Sequence, residues 1–359
     1  MGNKMKKRVL LTLFISIFFT SLAQKRKVSL LFAGDAMQHT PQITAAKSND
    51  GFNYDTCFYL IKERLLAADL AFVNFETTLA GKPYTGYPTF SAPDEFALAL
   101  KNTGFDVFFL ANNHTVDKGK KGLERTIDVL DVMGIKHTGT FKNAMERDLY
   151  YPLIIIKNGI RIALLNYTYG TNGLPVHTPN IVNLIDTVEI KKDLKWTSLY
   201  KPDIVVANLH WGNEYVTSPH RQQIELAQWL TKNGVRIVIG HHPHVVQPLS
   251  IELESDKIQH VIFYSLGNFI SNQRKINTDG GAIAEIVISK DEDSSNITIE
   301  SCNYWLVWVD KYYANGKNNY RLIPSWLNSY ENIRDFGSEN RNRMDIFVKN
   351  ATKIIERKL

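Results

Sequence analysis

Cysteine is nearly missing from this chain: Cys57 and Cys302 are the only two among 359 residues. Two thiols so far apart in sequence make no disulfide framework, and they cannot build a Cys-rich zinc site. Two free or buried thiols are the expectation. A surplus of one charge is missing too. Lys and Arg number 42 against 36 Asp and Glu, a net charge of +6, and part of that excess sits in the first residues. The remainder is dispersed, which excludes the basic stripe of a nucleic-acid binder. No internal repeat and no low-complexity linker interrupts the chain.

Long hydrophobic runs are scarce. The clearest is Val9–Thr20, shorter than the roughly 20 residues of a spanning helix. Lys4, Lys6, Lys7 and Arg8 precede it, and Ser21-Leu22-Ala23 follows with small residues before Gln24. Positive start, apolar run and small-residue site are the marks of a secretory signal peptide over residues 1–23. The expected protein is therefore exported to the periplasm or cell envelope, or membrane-anchored if that segment stays uncleaved. No cysteine follows the site, which argues against a lipoprotein anchor.

What is present alternates. Val28–Ala33 reads as a strand running into Gly34-Asp35. Tyr54–Ala67 has helical apolar spacing, Leu70–Val73 is a second strand, and Pro93 and Gly104 bracket a helix. Val107–Leu110 is a third strand and Lys120–Met133 a helix closed by Gly134. Leu153–Ile156 and Ile160–Leu165 flank Lys157-Asn158-Gly159, a hairpin signal. Ile204–Ala207, the helix Pro219–Asn233 and the strand Ile237–Ile239 come next. Val261–Tyr264, Ala282–Ile288 and Tyr304–Trp308 are later strands. Such alternation argues a layered α/β domain over residues 24–309. Residues 310–359, with weak periodicity, form a C-terminal extension packed on it.

Polar residues able to bind metal recur where these strands end. Asp35 follows the first; Asn74 and Glu76 follow the second. Asn113 and His114 follow the third, with Asp117 nearby. His210 follows a later strand, and His241, His242 and His244 follow another. Ligands of open α/β sheets bind outside the carboxyl ends of strands. A lone histidine after a strand is more often a satisfied loop residue, but five strands delivering donors to one edge reverse that reading. Carboxylate, carboxamide oxygen and imidazole suit Mn, Fe or Zn.

The motifs "AGDAM" (Ala33–Met37), "NFETTL" (Asn74–Leu79), "LANNHTVDKGKKGL" (Leu110–Leu123), "HWGNEY" (His210–Tyr215), "GHHPHVVQP" (Gly240–Pro248) and "YSLGNFI" (Tyr264–Ile270) resemble, in order, those of the bacterial capsule-synthesis protein CapA family of the poly-γ-glutamate type. The resemblance covers most of residues 28–290. It implies a calcineurin-like metallophosphoesterase fold, a sandwich of two β-sheets flanked by helices. It also implies roles. Asp35 and His244 would bind a first metal, and Glu76 would bridge. Asn113, His210 and His242 would bind a second. His114 would donate a proton, oriented by Asp117. Asn74 and Asn268 would contact substrate, and Trp211 and Tyr215, which flank Gly212, would line a substrate groove or else pack a core edge. The second site would hold its metal tightly and the first weakly, because Met37 stands where related enzymes have histidine in D-x-H. Thr40, with His39 beside it, stands near a position where the family often has arginine.

Side chains alternate along an extended segment, so His242 and His244 should share a direction and His241 should face elsewhere. The motif around Ser265 lacks the G-x-S-x-G form, which argues against a serine nucleophile. Two functions follow as expectations. One is a metal-dependent hydrolase of phosphoester or γ-glutamyl amide bonds in capsule or poly-γ-glutamate production, acting on an anionic envelope polymer or its precursor. The other is a non-catalytic assembly factor that binds the polymer or a membrane polymer synthase.

Overall fold

The structure is a computed structural model that describes residues 25–291 and 296–359. The expected signal peptide lies outside the described residues. Among the described residues no helix is long and apolar enough to cross a membrane.

The elements run β1 (Arg26–Ala36), α1 (Thr40–Ala46), α2 (Asp55–Phe58), α3 (Lys62–Ala67), β2 (Leu70–Phe75), α4 (Asp94–Thr103), β3 (Val107–Phe109), α5 (Gly119–Val132), β4 (Lys136–Thr138), α6 (Ala144–Tyr150), β5 (Leu153–Lys157) and β6 (Ile160–Thr168). They continue with α7 (Thr187–Leu199), β7 (Ile204–His210), α8 (Arg221–Lys232), β8 (Ile237–His241), β9 (Leu249–Glu254), β10 (Lys257–Phe263), β11 (Asn268–Ile270), β12 (Gly280–Lys290), β13 (Ile297–Ala314), β14 (Lys317–Pro324) and α9 (Ser338–Ile355). These strands form one 14-stranded hydrogen-bonded sheet whose main path is β4-β3-β2-β1-β12-β13-β10-β8-β7-β6-β5.

That path folds back on itself into two layers. β13 and β10 meet at a single registered pair, Ile299 with Ile258, so the seam between the layers is narrow. Val28, Leu30 and Phe32 of β1 share one core cluster with Ile162 and Leu164 of β6, Val206 of β7 and Ile237 and Ile239 of β8. Alternation puts the intervening β1 residues, Leu31 and Ala33, on the opposite face. There they pack with Phe58, Ile61 and Leu65 before β2 and with Phe96 and Leu100 of α4. On the other outer face, Leu165, Ala207 and Val238 meet Ile190 of α7 and Ala227 and Leu230 of α8. The result is helix, sheet, sheet, helix: the sandwich expected from the motifs, with its two sheets joined along one edge.

The local signals hold where they are strongest. Gly104 closes α4 at φ 124°, a conformation that disfavours any side chain. The helix expected over Tyr54–Ala67 is instead two short pieces, α2 and α3. Helix α7 carries little apolar periodicity; Ile190 is its one fully buried apolar side chain. The C-terminal segment supplies the end of β13, all of β14 and α9, and Met344, Phe347, Ala351 and Ile355 join the interlayer cluster. β13 continues through positions 309 and 310 without interruption, so no break in the sheet falls there.

Within each layer the central strands are parallel: β1, β2, β3 and β4 in one, β6, β7, β8 and β10 in the other. Their carboxyl ends therefore gather the polar residues at one edge of the sandwich. The layers are pinned there by Asn166 of β6. Its Oδ1 accepts from the backbone N–H of Ala111 at 2.8 Å, and its Nδ2 donates to the carbonyl of Asn208 at 3.2 Å.

Candidate metal centre

The end of β1 lies hard against the turn before β11. A Cβ on Gly34 would sit 2.1 Å from the carbonyl oxygen of Gly267, so only glycine fits. The Asp35 N–H donates to that same oxygen at 2.9 Å. This approach fixes Asp35 in a fully buried position. Its Oδ1 accepts from Asn74 Nδ2 at 2.8 Å and lies 3.3 Å from His241 Nδ1. Its Oδ2 lies 3.1 Å from His244 Nδ1 and accepts from the His242 N–H at 3.3 Å. Burial alone would raise this carboxyl, but the hydrogen bonds from His241 and His244 hold it well below the usual carboxylate range.

Glu76 is the opposite case. It is fully buried, and neither Oε1 nor Oε2 has a hydrogen-bond partner among the described residues. Burial, and then the charge of Asp35, push its carboxyl well above the usual range. Three imidazoles ring its Oε1: His210 Nε2 at 3.7 Å, His244 Nε2 at 3.7 Å and His114 Nε2 at 4.0 Å. His210 Nε2 is also 2.9 Å from Asn113 Oδ1, and the His210 and His242 rings are 4.8 Å apart. Burial depresses both of these histidines: His210 well below its ordinary value, His242 to about 3. Both are therefore neutral near pH 7, the form that ligates metal.

An orphaned buried carboxylate costs several kcal/mol on general grounds unless a cation or proton meets it. Ligand atoms of Glu76, His242 and His244 lie within 4.8 Å of one another, as do those of Asp35, Glu76 and His210. The donor set thus fits a divalent cation, with Glu76 common to both groups, but the grouping differs from the expected one: His242 falls with His244 and His210 with Asp35. Beside it, His114 Nδ1 lies 2.8 Å from Asp117 Oδ2, which also accepts from the Phe90 N–H at 2.7 Å. Phe90 meets the His114 ring edge-on at 4.6 Å.

Asp35, Glu76, Asn113, His114, Asp117, His210, His242 and His244 are brought together, all of them buried. Four expectations need correction. His241 does not face elsewhere: its Nδ1 faces Asp35, and its Nε2 lies 2.7 Å from Asn208 Oδ1. The alternation argument fails because β8 ends at His241 and both His242 (φ 96°) and His244 (φ 56°) are left-handed. Trp211 does not line a groove. It is 3% exposed, stacks on Tyr264, and donates from Nε1 to the Tyr264 carbonyl at 2.9 Å. Asn74 and Asn268 do not face the mouth either. Asn74 is buried, its Nδ2 donating to Asp35 and lying 3.3 Å from His210 Nδ1 while its Oδ1 has no partner among the described residues, and Asn268 lies 3.1 Å from His244 Nδ1 through Oδ1 while its Nδ2 donates to the carbonyls of His244 and Thr278. Of the expected substrate contacts Tyr215 remains at the rim, 39% exposed, its ring 6.2 Å from His244 and 4.0 Å from Lys275 Nζ.

Residues that no motif marked complete the rim. Tyr169 is 46% exposed, with its ring 4.6 Å from His242. Asn172 Oδ1 accepts from Asn113 Nδ2 at 3.2 Å. His39, edge-on to Phe90 at 5.3 Å, is lowered by burial to about 4. Met37 is buried beside the end of β1, its N–H donating to Ile270 at 2.8 Å. Cys57 and Cys302 are free, and burial pushes both thiols up to about 12.

Comparison with known proteins adds lineage to this geometry. Residues 29–273 match the family described as bacterial capsule synthesis protein PGA_cap. The capsule biosynthesis protein CapA of Bacillus anthracis is 30% identical over 276 residues, covering 73% of this chain and 64% of that protein. The chain thus spans slightly less than two thirds of that relative. The PGA biosynthesis protein CapA of Bacillus subtilis (strain 168) is 29% identical over 282 residues, covering 73% and 68%. Among solved structures, a calcineurin-like phosphoesterase of Bacillus subtilis aligns with a TM-score of 0.47 at 14% identity, covering 79% of this chain and 91% of that one.

Proposed function

The chain belongs to the bacterial capsule synthesis protein family PGA_cap, and from that premise we propose that it is an exported, metal-dependent hydrolase of capsule or poly-γ-glutamate production. Its substrate is an anionic envelope polymer or its precursor, and the bond cleaved is a γ-glutamyl amide or a phosphoester. The observation that carries this reading is Glu76: a buried carboxylate without a hydrogen-bond partner among the described residues, ringed by His210, His244 and a His114 already held by Asp117.

On the family's pattern Glu76, Asn113, His210 and His242 would hold one Mn, Fe or Zn ion and Asp35, Glu76 and His244 a second, with His242 and His210 each also within reach of the other position. A bound divalent ion polarises the scissile group and lowers the pKa of water, supplying a nucleophile at neutral pH. The chain's own residues do the rest. Asp117 anchors His114 through Nδ1, which turns Nε2 towards Glu76. From there Nε2 hands a proton to the leaving nitrogen or oxygen as its bond breaks and the water oxygen takes its place. Asn74, His241 and His244 keep Asp35 ionised and oriented. Tyr169 and Tyr215 flank the opening and meet the substrate.

The test is direct. Purified protein, stripped of metal and reloaded with Mn²⁺, Fe²⁺ or Zn²⁺, is incubated with poly-γ-glutamate and with bis(p-nitrophenyl) phosphate. New chain ends or p-nitrophenol that depend on the metal support the hydrolase. Tight polymer binding without turnover of either substrate overturns it in favour of an assembly factor acting with a membrane synthase.

A further inference from the structure

The loop after β6 reaches the metal centre from a stretch with no recognisable motif. The two ends of a carboxamide are nearly isosteric, and its neighbours decide which end points where. Asn113 turns Oδ1 to His210 Nε2 at 2.9 Å and Nδ2 to Asn172 Oδ1 at 3.2 Å. Only the oxygen end can serve a cation, so an acceptor behind the nitrogen end selects the productive orientation. Asn172 is that acceptor. It is itself held in place, because Tyr169 Oη donates to the same Oδ1 at 3.1 Å while the Tyr169 ring rests 4.6 Å from His242. Asn172 occupies the left-handed region at φ 52°, which asparagine tolerates better than most residues.

We infer that Asn172 is a positioning residue: it fixes the Asn113 carboxamide with its oxygen towards the metal position shared with His210 and His242, and Tyr169 fixes Asn172. This inference rests on the metal reading proposed above. It assigns the 169–172 loop to the affinity of one metal position rather than to substrate alone. Partners one step behind a ligand typically account for about 10–100-fold in metal affinity.

The experiment is a Zn²⁺ titration of the chelator-stripped full protein, by calorimetry and by competition with a chromophoric chelator. Asn172→Ala is expected to weaken one Zn²⁺ affinity by about 10–100-fold and leave the other unmoved. Asn172→Asp, which keeps the acceptor and loses an unneeded donor, is expected to bind both as the wild type does. In an Asn113→Asp background no N–H is left for Asn172 to hold, so adding Asn172→Ala is expected to be silent, a coupling that mere damage to the fold would not produce. Two wild-type affinities in Asn172→Ala overturn the inference. So does an Asn172→Asp protein as weak as Asn172→Ala, or additive losses in the double variant. A wild-type protein that takes up no Zn²⁺ fails the metal reading itself, visibly and before any variant is made.

Discussion

Asp117 grips His114 through a 2.8 Å contact between Oδ2 and Nδ1, and the same Oδ2 accepts the Phe90 N–H at 2.7 Å. The carboxylate is therefore fixed from two sides, and the far nitrogen of His114 is presented to Glu76. Replacing His114 by alanine is expected to lower metal-dependent hydrolysis by about 10²–10⁴-fold, the usual range for general acid–base help. Metal content stays at the wild-type level, because the proposed ligand set does not include His114. Steady-state rates and elemental analysis on the same preparations check this, and unchanged turnover removes His114 from the mechanism.

The two metal positions are expected to be unequal. Asp35 already takes contacts from Asn74, His241, His244 and the His242 N–H, all of which compete with a cation. Glu76, Asn113, His210 and His242 form the fuller set, and the thioether of Met37 is a poor donor for hard or borderline ions. One metal should survive dialysis, with a second taken up only when metal is supplied. Met37→His should raise the retained stoichiometry, and His242→Ala should empty the tight position. Elemental analysis of the three proteins decides it. Two equally retained metals in the wild type, or none, would sink the idea.

Acid should destabilise the metal-free protein through His39. Burial lowers this imidazole to about 4, and its Nδ1 accepts from the Asn272 N–H at 3.3 Å, a bond the protonated ring cannot keep. Above about pH 6.5, the ordinary value for histidine, both folded and unfolded chains leave it neutral. Between there and pH 4 only the unfolded chain binds the proton, so stability falls through that window as pH drops. His210, held well below its ordinary value, and His242, lowered to about 3, add to the fall in the same window and carry it further into acid. Thermal melts of metal-free protein at pH 7, 5.5 and 4 should show the fall. His39→Asn should reduce the slope between about pH 6.5 and 4 without abolishing it, since His210 and His242 remain, and an equal slope in that variant would exclude His39 as a contributor.

Export is checked by mass. Protein recovered from its native envelope should begin at Gln24, after Ser21-Leu22-Ala23. An intact mass that still includes Val9–Thr20 would identify an anchor instead.

The sequence alone determined the alternation of strands and helices, the bracketing of α4 by Pro93 and Gly104, and the placing of acid, amide and imidazole where strands end. Those features are local: a glycine in the left-handed region or an apolar run of period two depends little on what lies far along the chain. What the sequence could not supply was direction and company. His241, His242 and His244 turn as they do because packing holds two of them at positive φ. Trp211 is buried because Gly240 and Tyr264 leave it a slot: a Cβ on Gly240 would lie 2.5 Å from its indole nitrogen. Asn172 and Tyr169 join the centre because β6 and β3 belong to different layers that close over one another, a meeting set by the shared apolar core and the single seam at Ile258 and Ile299. Contacts of that range follow from the burial of whole faces, which no short stretch of sequence records.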